Sequence, residues 1–71
     1  MMMMSGETTD LVFGFIHEFI RQKGHAPSQR EIARGCYLAQ SSVRYHLSKL
    51  QADGRIGYDR GKARAISITH Q

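Results

Sequence analysis

The sequence has few of the residues that build disulfide, metal or membrane-spanning sites. It contains one cysteine, Cys36, one proline and no tryptophan among 71 residues. A single cysteine excludes an intramolecular disulfide and favours a reducing compartment. No Cys/His spacing could close a tetrahedral zinc site, because the four histidines are scattered: His17, His25, His46 and His70. We therefore predict no metal site and no cofactor.

Long apolar segments and catalytic constellations are also absent from the sequence. The leading Met1 to Met4 are too few for the apolar region of a signal peptide, and no run approaches the roughly 18 residues of a membrane span. We therefore predict a cytoplasmic protein. The sequence pattern indicates no Ser/His, Ser/Lys or Cys/His catalytic arrangement and no pair of catalytic carboxylates. We therefore assign no catalytic residue and do not expect an enzyme.

The length allows one domain, near the lower limit of roughly 70–80 residues at which one apolar core suffices. We predict a flexible tail at 1–8, a folded domain at 9–69 and a short tail at 70–71. Charge is unevenly distributed along this chain. Residues 1–20 carry a net charge of −3, with no Lys or Arg, whereas residues 21–71 carry +7. This asymmetry favours a polyanionic partner.

The apolar pattern predicts three helices. In the first, capped by Thr8 or Thr9 and ended by Gly24, six apolar residues recur at helical spacing: Leu11, Val12, Phe15, Ile16, Phe19 and Ile20. The second follows Pro27 with the capping box Ser28–Glu31 and ends between Gly35 and Tyr37. The third begins at a cap on Gln40 or Ser41, runs to about Asp53 and is ended by Gly54.

A two-stranded hairpin is predicted after the third helix. Ile56 and Tyr58 alternate with polar or small residues, residues 63–68 alternate again, and residues 59–62 form the turn. Since two strands alone are marginally stable, Ile56, Ile66 and Ile68 must pack on the helices. The predicted fold is mainly α with a small β-hairpin: a three-helix winged helix-turn-helix.

The third helix is predicted to enter the major groove of DNA. Val43, Leu47 and Leu50 form its buried stripe, with His46 at the edge and bonded to a neighbouring group. The outward face is polar and basic. We assign DNA contacts on this recognition helix to Ser41, Ser42, Arg44, Tyr45, Ser48 and Lys49. Arg44 suits the O6/N7 edge of guanine, and Tyr45 a thymine methyl or a phosphate.

Two further groups are predicted to contact DNA. At the start of the second helix, Ser28, Gln29 and Arg30 would hold the backbone. At the hairpin wing, Arg60, Lys62 and Arg64 would reach phosphates or a minor groove. Phe13, at the margin of the apolar face of the first helix, is a candidate for exposure and for contact with a second copy.

Residues 9–69 resemble the amino-terminal DNA-binding domain of the LexA repressor. The resemblance rests on the order and spacing of short segments: Pro27-Ser28, Arg30-Glu31-Ile32, Leu38-Ala39, Ser42-Val43, His46-Leu47, Leu50, Gly54, Ile56, Arg64-Ala65-Ile66 and Ile68. It implies a transcriptional repressor whose base contacts fall on Ser41, Ser42, Arg44 and Tyr45. LexA repressors also carry a carboxyl-terminal self-cleaving protease domain, which we expect this chain to lack.

The sequence departs from the family pattern at the turn and on the recognition helix. Tyr37 stands where the family usually has glycine before the leucine of the turn, and Gly35 comes two residues earlier. Arg44 and Tyr45 replace acidic or small residues, so we expect a different operator. We expect a sequence-specific regulator of double-stranded DNA that pairs as a homodimer on two half-sites. Two alternatives stay open: a winged-helix adaptor for another protein, and a non-specific nucleic-acid binder.

Overall fold

The computed structural model describes residues 6–58 and 66–68. Over these residues the elements are α1 (Gly6–Lys23), α2 (Gln29–Cys36), α3 (Gln40–Ala52), β1 (Ile56–Tyr58) and β2 (Ile66–Ile68). The strands pair antiparallel, with Ile56 opposite Ile68 and Tyr58 opposite Ile66. The predicted architecture of three helices and a hairpin is confirmed. None of the helices described is long and apolar enough to cross a membrane.

One apolar core joins all five elements. Its buried side chains are Val12, Ile16, Ala26, Ile32, Val43, Leu47, Leu50, Ile56 and Ile66. Leu38, in the turn between α2 and α3, and Ile68 on β2 pack against it from the side. The predicted packing of the hairpin isoleucines on the helices is therefore confirmed. Removing these side chains from water is the main stabilising contribution in so small a domain.

The start of α1 differs from the predicted one. Neither Thr8 nor Thr9 caps the helix, because α1 begins at Gly6 and includes both residues. Thr9 is only 3% exposed and lies against α3. Packing at that position extends the helix towards the amino terminus, although glycine and threonine have low intrinsic helix propensity.

The beginning of α2 follows the sequence closely. The Ser28 hydroxyl accepts a hydrogen bond from the Glu31 backbone N–H at 3.1 Å, and the Glu31 carboxylate accepts one from the Ser28 N–H at 2.8 Å. This reciprocal capping box satisfies two backbone donors at the helix start. The predicted cap is confirmed.

The turn from α2 to α3 depends on one residue with a positive φ angle. Tyr37 adopts φ 58° and ψ 48°, and its N–H bonds to the Ala33 carbonyl oxygen. This left-handed residue ends α2, and Leu38 then enters the core. Ala39 is already the extended N-cap residue of α3, without a side-chain hydrogen bond. The predicted cap on Gln40 or Ser41 is therefore wrong by one or two positions.

Gly35 lies where α2 approaches the Phe15 side chain of α1. A Cβ atom at this position would lie 2.2 Å from the Cε1 atom of Phe15. Because such a contact is far below the van der Waals distance, the Phe15 ring would have to move. The turn itself is made by Tyr37 and not by this glycine.

We expect Tyr37→Gly to stabilise the domain by about 0.5–1 kcal/mol. The left-handed conformation costs a residue with a Cβ atom roughly 1–2 kcal/mol of conformational free energy, and glycine avoids this cost. Part of the gain is lost because glycine also raises the entropy of the unfolded chain. The Tyr37 side chain is 94% exposed, so little packing is lost. Urea denaturation measures the change. Tyr37→Ala keeps the Cβ atom and should gain nothing, and equal stability of the two variants would contradict the backbone explanation.

Candidate nucleic-acid interface

The outward face of α3 carries the residues predicted to read DNA. Val43, Leu47 and Leu50 are fully buried, which fixes the helix on its own domain. Ser41, Arg44 and Tyr45 lie on the other side and are exposed, with Tyr45 58% exposed. Ser42, Ser48 and Lys49, on the same helix, are half-buried. The two sectors predicted for the helix are therefore present, and the outward one is narrower than predicted.

The amino end of α3 is open to a ligand. No side-chain hydrogen bond caps it at Ala39, and its first turn contains no acidic residue. The first N–H groups of a helix have no partner within the helix, and together they attract anions. This end can therefore bind phosphate or water.

A polar groove connects α3 with both neighbouring elements. It encloses about 360 Å³ and is lined by Gln29 at the start of α2, Arg44 and Ser48 on α3, and Tyr58 on β1. The Gln29 side-chain amide donates a hydrogen bond to the Tyr58 hydroxyl. We call these four residues the polar groove. Three of them were predicted as DNA contacts, so the fold brings together the α2 and α3 groups.

Tyr58 is the groove residue that sequence reasoning missed. Its period-two spacing with Ile56 predicts a strand but does not predict a contact with α2 or with DNA. Its contact with Gln29 spans 29 positions along the chain. In addition, the Gln51 side-chain amide donates to the Tyr58 carbonyl oxygen at 3.3 Å. Tyr58 thus connects the base of the hairpin to both α2 and α3.

The three residues predicted at the start of α2 have different surroundings. Ser28 is occupied by the capping box, and Gln29 by Tyr58. Arg30 is exposed, and its side chain is available to a ligand. The three predicted wing contacts (Arg60, Lys62 and Arg64) lie outside the described residues and stay predictions.

The basic side chains fall into two groups. Arg55 contacts the Asp10 carboxylate at 2.9 Å and lies 4.3 Å above the Phe13 ring, and Arg21 pairs with Glu18. Among the side chains of residues 8–58 and 66–68, a second group makes no ion pair: Lys23, Arg30, Arg34, Arg44 and Lys49. The exposed face of α3 therefore has uncompensated positive charge.

The Arg55 contact also corrects the prediction for Phe13. Its ring is half-buried beneath the guanidinium and packs against the core, so it is not an exposed contact residue. Leu11, which was predicted to face the core, is 66% exposed instead. The other described elements therefore cover only part of the apolar face of α1.

His46 is held in the interior beside the outward face of α3. It is 8% exposed, and its Nδ1 atom lies 2.8 Å from the hydroxyl oxygen of Thr9, which is also buried. Its ring meets the Tyr45 ring edge-on at 5.1 Å. The prediction that His46 is bonded to a neighbouring group is confirmed. Burial, and secondarily the positive charge of Lys49, lower the pKa of His46 below its usual 6.5.

The lowered pKa of His46 predicts a loss of stability in acid. Above about pH 6.5 the imidazole is neutral in both folded and unfolded states, and the stability is complete. As the pH falls through 6.5 towards the lower folded-state pKa, the unfolded state binds the proton first, so unfolding becomes easier. Urea midpoints between about pH 8 and pH 5 measure this. His46→Gln should flatten the dependence, and parallel profiles for the two proteins would contradict it.

Comparison with known proteins gives a consistent result. A family model of the LexA DNA-binding domain matches residues 7–65. The LexA repressor of Clostridium botulinum strain Hall is 45% identical over 58 residues, which are 80% of this chain and 29% of the relative. For the LexA repressor of Clostridium novyi strain NT the identity is 48% over 58 residues, 80% of this chain and 28% of the relative.

A LexA repressor from Thermotoga neapolitana is 42% identical over 55 residues, 78% of this chain and 28% of that protein. The chain therefore spans less than a third of the length of these curated relatives. Its match to the family model covers the helices, the turn and the first strand described above. The chain belongs to the LexA DNA-binding domain family.

Proposed function

We propose that this chain binds double-stranded DNA in a sequence-specific manner and acts as a LexA-like transcriptional regulator, most simply as a repressor that occupies an operator. The observation that carries the proposal is the outward face of α3. Ser41, Arg44 and Tyr45 are exposed together there, the first turn has no acidic residue, and the opposite face is fixed in the core. A helix of this kind fits the major groove.

The roles follow from the chemistry of each group. Arg44 can bond the O6/N7 edge of guanine, a contact worth about 1–3 kcal/mol of discrimination. Ser41 and Ser42 can bond base edges or phosphates, and Tyr45 can contact a thymine methyl. Ser48 and Lys49 are half-buried on the same helix and suit the backbone.

The residues outside α3 would contact the DNA backbone. Arg30 is exposed at the start of α2, and the three cations predicted at the wing would reach phosphates or a minor groove: Arg60, Lys62 and Arg64. A domain that touches about five phosphates should show a log–log salt slope near −4 to −5. Such a domain binds modestly alone, so we propose paired binding on two half-sites. An operator-binding role also requires the cytoplasmic location that the sequence predicts.

Selection from a pool of random DNA duplexes, followed by sequencing, tests this function directly. A sequence-specific regulator should enrich one motif, and a palindromic motif would support paired binding. Binding without enrichment would leave a non-specific nucleic-acid binder. Absence of binding at low salt would overturn the DNA proposal in favour of a protein adaptor. The polar face of α3 argues against this alternative, because an adaptor would be expected to have a more apolar face there.

A further inference from the structure

We propose that the polar groove binds one phosphate of the DNA backbone and that the Tyr58 hydroxyl donates a hydrogen bond to it. This inference rests on the proposed function and adds a contact residue on β1. Gln29 is half-buried beneath the hydroxyl and donates to its oxygen. A tyrosine hydroxyl can accept one bond and donate another. Because its oxygen accepts from Gln29, the Tyr58 proton is not used in that bond.

The lining of the groove selects an anionic acceptor. Among the described residues that line it, namely Gln29, Arg44, Ser48 and Tyr58, none is a carboxylate. The groove offers two hydroxyl groups, a second amide N–H and a guanidinium at its edge, all of which can donate. A phosphodiester has two free oxygens that only accept. Side chains of Ser, Tyr and Gln are also among the usual phosphate contacts of DNA-binding proteins.

The position of the groove favours the backbone over a base edge. It lies beside α3, between the start of α2 and the base of the hairpin. When α3 occupies the major groove of DNA, the phosphates on either side of the major groove lie close to the protein elements that flank α3. Tyr58 is also tied to α3 through Gln51, so its position relative to the recognition helix is fixed. The bound phosphate would therefore set the depth and register of α3.

Tyr58→Phe in combination with methylphosphonate-substituted DNA tests this assignment. The probe is a defined duplex that the wild-type domain binds, with the phosphates replaced one at a time by uncharged methylphosphonates. We expect Tyr58→Phe to weaken binding about tenfold, as for the loss of one hydrogen bond to a charged group. The loss should be equal on specific and unrelated duplexes. The salt slope should stay unchanged because no charge is removed.

Replacement of one particular phosphate should weaken wild-type binding and have little further effect on Tyr58→Phe. Tyr37→Phe is the matched control, since it removes the same hydroxyl from an exposed tyrosine outside the groove. Gln29→Glu should weaken binding more strongly than Tyr58→Phe, because it adds a negative charge and turns the Tyr58 proton inward. If Tyr58→Phe does not fold, Ser48→Ala and Gln29→Glu are tested against the same phosphate series.

The outcomes separate this inference from the proposed function. Wild-type binding together with unchanged affinity and unchanged phosphate sensitivity in Tyr58→Phe would overturn the phosphate site alone. A loss for Tyr58→Phe that varies with the DNA sequence would overturn it too, because a backbone contact carries no sequence information. A wild-type domain that binds no duplex at low salt would overturn both proposals.

Discussion

Leu47→Ala should leave the domain largely unfolded at 37 °C. Leu47 is completely buried at the centre of the inward face of α3. Truncation of a buried leucine to alanine costs about 2–5 kcal/mol, from lost transfer free energy and from the cavity that remains. A core in a domain of this size rarely supplies more than about 3–5 kcal/mol. The expected loss is therefore comparable with the entire stability.

Thermal and urea denaturation followed by far-UV circular dichroism measure the Leu47→Ala effect. Arg44→Ala on the same helix is the control, since Arg44 is exposed and its truncation should change stability little. Leu47→Met nearly conserves volume and should cost less than about 1.5 kcal/mol. A cooperative Leu47→Ala transition close to that of the wild type would mean that α3 is not held by this core.

Features that depend on residues close in sequence could be predicted. Ser28 and Glu31 are three positions apart, and their side chains alone determine the α2 cap. The buried stripe of α3 follows from helical spacing of Val43, Leu47 and Leu50 in the same way. Local chemistry is sufficient in these cases because every interacting group lies within one or two helical turns.

Features that depend on distant residues could not be predicted. Thr9 lies against His46 across 37 positions, and this contact accompanies the early start of α1. The Arg55 guanidinium likewise covers the ring of Phe13, a residue far away in the sequence, and reduces the exposure of that ring. No periodicity encodes such pairs, because each depends on how two separate helices or a loop meet.

The candidate site shows the same division. Helical spacing alone predicts that Ser41, Arg44 and Tyr45 share one exposed face. Tyr58 joins that site only because the hairpin returns beside α2, which makes Gln29 its neighbour. At the turn, where the LexA family usually has glycine, Tyr37 adopts the left-handed conformation itself.

Arg44→Ala should abolish sequence discrimination at one position of the selected DNA motif. Arg44 is exposed, makes no ion pair with another described side chain and is more exposed than Lys49, the other cation of α3. Loss of a bidentate contact to guanine costs about 1–3 kcal/mol, which is roughly a 5- to 150-fold loss of affinity for the selected duplex. In the random-duplex selection, the mutant motif should therefore become degenerate at one base pair per half-site.

The control must separate base reading from the loss of one positive charge. Arg34 is also exposed, but it lies in the last turn of α2 and not on α3. Arg34→Ala removes the same charge and should preserve the motif, with at most a small, sequence-independent change in affinity. If Arg44→Ala weakened all duplexes equally and left the motif intact, Arg44 would be a backbone contact. Base reading would then rest on Ser41, Ser42 and Tyr45.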